Sequence, residues 1–397
     1  MPPITLYRTT ASVLLLGVAT WLHAQVSPEV DARLKALEQQ VQGLARENAD
    51  LKKQLGWHET TAPVLVAPGG KETKLSVGGF LQGQAEFGGA PDPRWYGVHD
   101  RFFFRRARIY AAGSFAEGFD FKAEIELQGN TLSASTGQLT RANEVFINWH
   151  KYPAMNLRFG QLKPAFGAEA LLSDTKMVTI ERTLPSDRLS DSRQLGVSAA
   201  GELFDKKLSY LAVVGNGNGG NSSANDNDKF QKSLRLVFTP VATAKDRVVV
   251  GANGLWSDDA GLAKPDLGLP GNLITGSRAL GGLDAQWNHG PLELSTEWLR
   301  GTFHPTNATP ASSFTAEGAH VTAAYFLIPT KLQAMVREEW LDPNTAVSGN
   351  TMRTLTLGLN YYLKGDDIKF MLNYMIGDVP NTTAEGDRLL TRIQVIF

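Results

Sequence analysis

Between residues 74 and 397, apolar and polar positions alternate with a period of two in one segment after another. In FDFKAEIELQ (119–128), Phe119, Phe121, Ala123, Ile125 and Leu127 fall on one face, and Asp120, Lys122, Glu124, Glu126 and Gln128 on the other. MNLRFGQ (155–161), DIKFMLNYMI (367–376) and LLTRIQVIF (389–397) repeat the pattern. Such alternation describes strands of a sheet with one dry and one wet side. Sixteen segments of this kind are predicted, centred near residues 81, 108, 123, 146, 157, 199, 211, 234, 251, 283, 297, 322, 336, 358, 371 and 392.

The connections alternate in length. FAEG, HKYP, FDKK, TPVATAK, NHGP, IPTK and KGDD are short, whereas stretches near 88–100, 129–140, 162–193, 217–228, 257–276, 304–314, 342–350 and 377–385 are long. Tight turns at one end and long loops at the other mark an up-and-down transmembrane barrel with an apolar outside and a polar lumen. A soluble β-sandwich also alternates, but it does not require this asymmetry of turns and loops. Nor does a sandwich account for aromatic residues at strand ends. Trp95, Tyr96, Trp149, Tyr152, Trp256, Trp287, Trp298, Trp340, Tyr361 and Tyr362 are predicted to form two interfacial girdles. No stretch beyond the N-terminus is apolar for the roughly 20 residues a helix needs to span, so residence in a membrane relies on strands closed into a barrel.

RFFFRRARIY (101–110) carries rings and guanidinium groups together. On strand alternation Phe103, Ala107, Ile109 and Ala111 face lipid, and Arg106, Arg108 and Tyr110 face the lumen. Arg105 falls on the lipid phase unless a bulge turns it inward or it reaches the headgroup layer.

Before residue 74 the period is different. Val30, Leu37, Leu44 and Leu51 form one series and Leu34, Val41, Asn48 and Leu55 another, nearly four heptads of a coiled coil over 25–56. A single amphipathic helix packed on the barrel is the alternative. A Pro- and Gly-bearing linker (57–73) follows. Residues 1–24 hold Arg8, the apolar run ASVLLLGVATWL and a small residue at Ala24, the layout of a cleaved secretory signal. The expected architecture is thus an all-β, sixteen-stranded antiparallel transmembrane β-barrel over 74–397, preceded by a short α-helical coiled coil.

Composition narrows the chemistry. The 39 Lys and Arg against 40 Asp and Glu leave a net charge of −1, so no basic field points to nucleic acid. With no cysteine, thiolate nucleophiles and thiolate metal sites are excluded. The seven histidines lie far apart with no pair at helical ligand spacing, and no metal centre or other cofactor is expected. Neither a G-x-S-x-G elbow nor H-E-x-x-H occurs, so no catalytic residue is assigned and an enzyme is not expected. GNGNGG (215–220) matches a dinucleotide fingerprint, but the polar NSSANDNDK follows it instead of a helix, which makes it an outer loop.

What remains is the lumen wall. Arg106, Arg108, Lys122, Arg158, Arg235, Arg337, Lys369 and Arg392 fall on the wet phase. Guanidinium and ammonium groups on a pore wall can pass anions between weak sites. Asp120, Glu124, Glu126, Glu144 and Glu339 share that face, so the bases can equally brace the wall by pairing. Both readings stay open at this point. The loop 162–193 is too long for a plain connection and holds its own apolar positions, so it is expected to fold inward and narrow the pore. It carries Lys163, Lys176, Arg182, Arg188 and Arg193 against Glu169, Asp174, Glu181, Asp187 and Asp191.

RRARIYAAGSFAEGFDFKAEIEL, NLRFGQLKPAFGAEALLSDTKMVTIERTLPSDR and the ending RLLTRIQVIF resemble the phosphate-selective porins O and P of Gram-negative outer membranes. The resemblance spans roughly residues 75–397. It implies a sixteen-stranded barrel, a homotrimer in outer-membrane lipid, and passive uptake of small anions, phosphate or polyphosphate first. Arginines at the outer entrance and lysines below carry over to Arg106, Arg108, Lys122 and Lys163, which sit in matching motifs. The other lumen bases rest on alternation alone. A broader channel for other anionic solutes is the alternative within the class; a protein that tethers the envelope through its coiled coil is the alternative outside it.

Overall fold

The computed structural model describes residues 64–66, 72–128, 140–308, 312–380 and 386–397. The expected signal (1–24) and coiled coil (25–56) lie outside the described residues, as does most of the linker. A short strand β1 (Val64–Val66) pairs with the start of β2 (Glu72–Gly88). The next strands are β3 (Arg101–Ala116), β4 (Phe119–Glu126), β5 (Arg141–Tyr152), β6 (Met155–Leu162), β7 (Gln194–Leu203) and β8 (Leu208–Gly215). The chain continues through β9 (Gln231–Ala242), β10 (Asp246–Ala263), β11 (Leu273–His289), β12 (Leu292–Pro305) and β13 (Phe314–Ile328). It finishes with β14 (Leu332–Asp342), β15 (Met352–Lys364), β16 (Ile368–Asp378) and β17 (Asp387–Ile396).

Each of β2–β17 pairs antiparallel with its neighbours in sequence, and β17 returns to pair with β2, from Arg388↔Gly88 to Ile396↔Phe80. The closed ring therefore has sixteen strands, and every predicted segment falls inside one of them. At the seam Gly79 N donates to the Phe397 carbonyl at 2.9 Å and Phe397 N to the Gly79 carbonyl at 3.0 Å, so no edge is left open. Closure satisfies the backbone within the sheet, the condition that lipid imposes.

Connections at one end take two to four residues, such as Glu117–Gly118 and Gly290–Pro291. Gly118 and Gly290 supply the positive φ (+73° and +56°) that such tight reversals need. Those at the other end run from eight residues to the thirty-one of 163–193. The expected loop 257–276 is shorter than the sequence suggested, because β10 and β11 extend past the membrane-length core and leave only 264–272 between them.

The outer surface is apolar: Ile125, Ile147, Phe159, Val197, Leu283, Val321, Leu357 and Ile393 all project outward and stay exposed. The aromatic assignment needs correcting at two positions. Trp95 stands on a 3₁₀ turn folded into the lumen, 1% exposed, and donates its indole N–H to Glu86 at 2.8 Å. Tyr362 is on the inner face, its hydroxyl donating to Gln333 at 2.7 Å. Adjacent Tyr361 has the opposite phase and faces out with Trp256, Trp287, Trp298 and Tyr152.

A second correction concerns β3. Its pairing with β2 slips between Gln82↔Arg106 and Gly83↔Phe104, leaving Arg105 as the extra residue of a bulge. The slip reverses the phase beyond it: Phe102 (80% exposed) and Phe104 face lipid, while Phe103 turns inward onto the cluster around Trp95 and Leu390.

Candidate functional site

The loop 163–193 fills much of the lumen. Its segments α1 (Ala168–Leu171) and α2 (Leu184–Leu189) are single turns. Thr183 caps α2 by accepting from Ser186 N, and Pro185 sits in the first turn, where its missing N–H costs nothing. Phe166, Leu184 and Leu189 pack against Leu255, Leu280, Leu299, Phe303 and Leu341 of the inner wall. The lumen face is thus apolar under Phe166 and the 184–189 turn, and polar under the rest of the loop and beyond it. Leu255 of β10 and Leu299 and Phe303 of β12 are the inward apolar residues that receive it.

Polar contacts fix the loop's tip. Lys369 Nζ donates to the carbonyls of Thr175 (2.9 Å) and Met177 (3.0 Å). Asn360 donates to the Val178 carbonyl (2.8 Å), and Asn373 Oδ1 accepts from Ile180 N (2.7 Å). Arg337 donates to Thr179 Oγ1 and the Glu181 carbonyl, both at 2.8 Å. Arg392 donates to the Ile180 carbonyl and, at 2.5 Å, to Glu181 Oε1, which also lies 2.9 Å from Arg105 Nε.

Four of the predicted wall bases therefore act under the loop or beside it. Arg337, Lys369 and Arg392 are buried, with Arg337 also 2.7 Å from Glu339. Arg235 is buried in a bidentate pair with Asp284 at 2.6 and 2.8 Å. Alternation placed these side chains on the correct face but did not show that the loop covers that part of it.

The open side is the wall β3–β6. Asp174 in the loop faces three guanidinium groups: Arg182 at 2.5 Å, Arg108 at 2.8 Å and Arg106 at 3.3 Å. They hold its carboxyl well below the usual carboxylate range despite its burial. Arg108 also pairs with Glu126 at 2.6 Å. Lys122 reaches Glu124 at 2.7 Å and Glu144 at 3.0 Å while a quarter of its side chain stays exposed. Arg158 has no carboxylate within ion-pair distance among the described residues; its guanidinium lies over the Phe146 ring at 3.9 Å. Phe146 covers Gly160, where a Cβ would lie 2.1 Å from the Val145 carbonyl oxygen.

Lys163 and Arg193 flank the neck of the loop, each one residue beyond the last β6–β7 pair, Leu162↔Gln194. Lys163 Nζ donates to the Ala170 carbonyl at 2.6 Å and, among the described residues, meets no carboxylate within ion-pair distance. Burial, together with Arg182 and Arg193, lowers its ammonium to about 7. Among the described residues Arg193 reaches only one carboxylate, Glu144 at 3.6 Å. Arg182 and Arg193 were legible only as loop charges. The signal that locates Arg193 is its symmetry with Lys163 about the loop neck.

Around this wall Arg106, Arg108, Lys122, Arg158, Lys163, Arg182 and Arg193 meet five carboxylates: Asp120, Glu124, Glu126, Glu144 and Asp174. The bases exceed the acids by two. Of these bases, Lys122, Arg158, Lys163, Arg182 and Arg193 are only half-buried. Such a patch, part braced and part free, can hold a small anion at several points without a fixed counter-ion.

A closed sixteen-stranded barrel, apolar outside, charged within and narrowed by an inward loop, is a porin. Residues 81–397 match the family described as phosphate-selective porin O and P, and the chain belongs to it. Together the family and the barrel place it in the Gram-negative outer membrane. Porin O of Pseudomonas aeruginosa is 23% identical over 410 residues, covering 85% of this chain and 92% of that protein. Among solved structures, an anion-selective porin from Comamonas acidovorans superposes with a TM-score of 0.57 at 12% identity, covering 82% of this chain and 100% of its own. OmpT of Vibrio cholerae, in a trimer form, gives 0.55 at 11% identity over 82% and 99%.

Proposed function

We propose that this porin conducts small anions passively, phosphate or polyphosphate first, along the wall formed by Lys122, Arg158, Lys163 and Arg193. The observation that carries the reading is the surplus of bases on the uncovered part of the lumen, with Lys163 and Arg158 outside any ion pair among the described residues. A phosphate oxyanion entering there replaces water as the acceptor of their N–H groups. Membership in a phosphate-selective family and the name of the Comamonas structure agree with anion passage. The trimer form of the Vibrio protein supports a homotrimer, and residues 25–56 as a coiled-coil stalk after a cleaved signal are consistent with one.

A second reading, a channel for small anionic solutes at large, is favoured by one observation: Glu124 and Glu144 lie within 3.0 Å of Lys122 and compete with any phosphate for it. Reconstitution in a planar bilayer separates the two. The phosphate reading expects anion-selective current across a KCl gradient that micromolar to millimolar phosphate blocks. Anion-selective current indifferent to phosphate leaves the general channel, and absence of any conductance refutes both.

A further inference from the structure

Away from the basic wall, on the opposite side of the lumen, three potential metal ligands converge. Glu297 of β12 and His320 of β13 are cross-strand partners and project to the lumen side by side. Glu169, in α1 of the inward loop, brings its carboxylate to them, and ligand atoms of all three lie within 4.8 Å of one another. We propose that Glu169, Glu297 and His320 bind one divalent transition-metal cation of the zinc class, which staples the loop to the barrel wall.

His320 is 7% exposed, and neither ring nitrogen makes a hydrogen bond among the described residues; beyond its place in the sheet, its carbonyl also accepts from Thr296 Oγ1. A buried imidazole without a partner is uncommon and points at a missing ligand. Glu297, 2% exposed, has no lysine or arginine within ion-pair distance among the described residues. Among the described residues it accepts only the N–H groups of Ala168 and Glu169. Glu169 Oε2 accepts from Thr183 N at 2.9 Å and Thr183 Oγ1 at 2.5 Å, which fixes the carboxylate and leaves Oε1 toward the group.

Both neighbouring arginines have acid or carbonyl partners of their own outside the group. Arg235 is matched by Asp284, and Arg337, 3.6 Å from Glu169 Oε1, is held by Glu339 and the loop carbonyl of Glu181. Two carboxylates and an imidazole remain as the donors that face one another across the cavity. A cavity of about 60 Å³ opens among them, lined also by Thr296 and Thr322. Mixed nitrogen and oxygen ligands, three from protein with a position left for water, suit zinc or cobalt over magnesium or calcium. Spacing along the chain gave no hint of this, because the ligands come from a loop and two strands 23 or more residues apart.

The test uses the full-length protein in detergent. Isothermal titration with ZnCl₂ should show one equivalent per chain and a raised thermal midpoint. His320→Ala and Glu297→Gln should weaken it at least tenfold. Heat-modified gel mobility reports whether each variant has folded. Co²⁺ absorption of the wild type, which needs no variant, should show an imidazole nitrogen in the ligand shell. Failure to bind Zn²⁺ stoichiometrically, binding undiminished in a folded His320→Ala, or a Co²⁺ shell without nitrogen would each overturn the site. None of these readouts depends on which anion the pore conducts.

Discussion

Arg105 Nε donates to Glu181 Oε1 across 2.9 Å, joining a residue that strict alternation assigns to lipid to the tip of the inward loop. The β-bulge between Gln82 and Gly83 makes this possible. One extra residue puts Arg105 and Arg106 side by side on the inner face, and Arg392 approaches the same carboxylate from the last strand. Glu181 is thereby held well below the usual carboxylate range, ionised at any pH the outer membrane meets.

Arg105→Ala removes one of two guanidinium partners of a buried carboxylate. Breaking a buried pair outright costs ~3–5 kcal/mol; because Arg392 remains, a loss at or below the lower end is expected. The variant should melt earlier and show larger, noisier single-channel conductance as the loop tip loosens. Unchanged conductance would mean that the apolar anchors hold the loop alone.

Selectivity and stability should separate by residue. Lys163→Gln, at the open neck, is expected to weaken phosphate block ten- to a hundredfold, the loss of a charge-assisted hydrogen bond of ~1.5–3 kcal/mol, with little change in melting. Arg337→Gln, buried under the loop, should lower the melting temperature and leave the reversal potential of the folded fraction near wild type. Blockade titrations and thermal scans on both variants check the division, and the reverse pattern would move the anion path under the loop.

The sixteen strands were legible because membrane strands obey a single rule, dry side out, that a period of two records directly. Side chains under the loop were not. Arg337, Lys369 and Arg392 have the same phase as Lys122, and only the tertiary course of 163–193 covers three of them and leaves the fourth open. Arg105 turns inward through a bulge, one of the courses open to it in the sequence. The same bulge misplaced Phe103, because it changes phase beyond it without any unusual residue to announce it. Trp95 failed because its indole sits in a loop that turns inward, where Glu86 satisfies its N–H.

The apolar anchors of the loop are a separate source of stability. Phe166, 2% exposed, and Leu189, fully buried, plug into the wall between β10 and β14. Phe166→Ala should cost ~3–5 kcal/mol and Leu189→Ala ~2–5 kcal/mol, as large-to-small changes in packed interiors do. Limited proteolysis of folded, reconstituted protein should then cut within 163–193, a segment the wild type protects.

Conduction should also depend on pH through Lys163. Its ammonium is lowered to about 7 by burial and by Arg182 and Arg193, which outweigh Asp174 and Glu144 facing it. It is therefore cationic at pH 6 and largely neutral at pH 8. In KCl, where the permeant anion does not titrate, anion selectivity should fall as pH rises from 6 to 8, with a midpoint near 7. Lys163→Arg, charged throughout, should flatten the curve. Stability should run the other way. An unfolded lysine keeps its proton to about 10.4, so between about 7 and that value the unfolded state binds more protons, and this group favours the folded barrel increasingly as pH rises. A selectivity curve that stays level in the wild type would place Lys163 outside the conduction path, leaving Lys122, Arg158 and Arg193 to set the preference for anions.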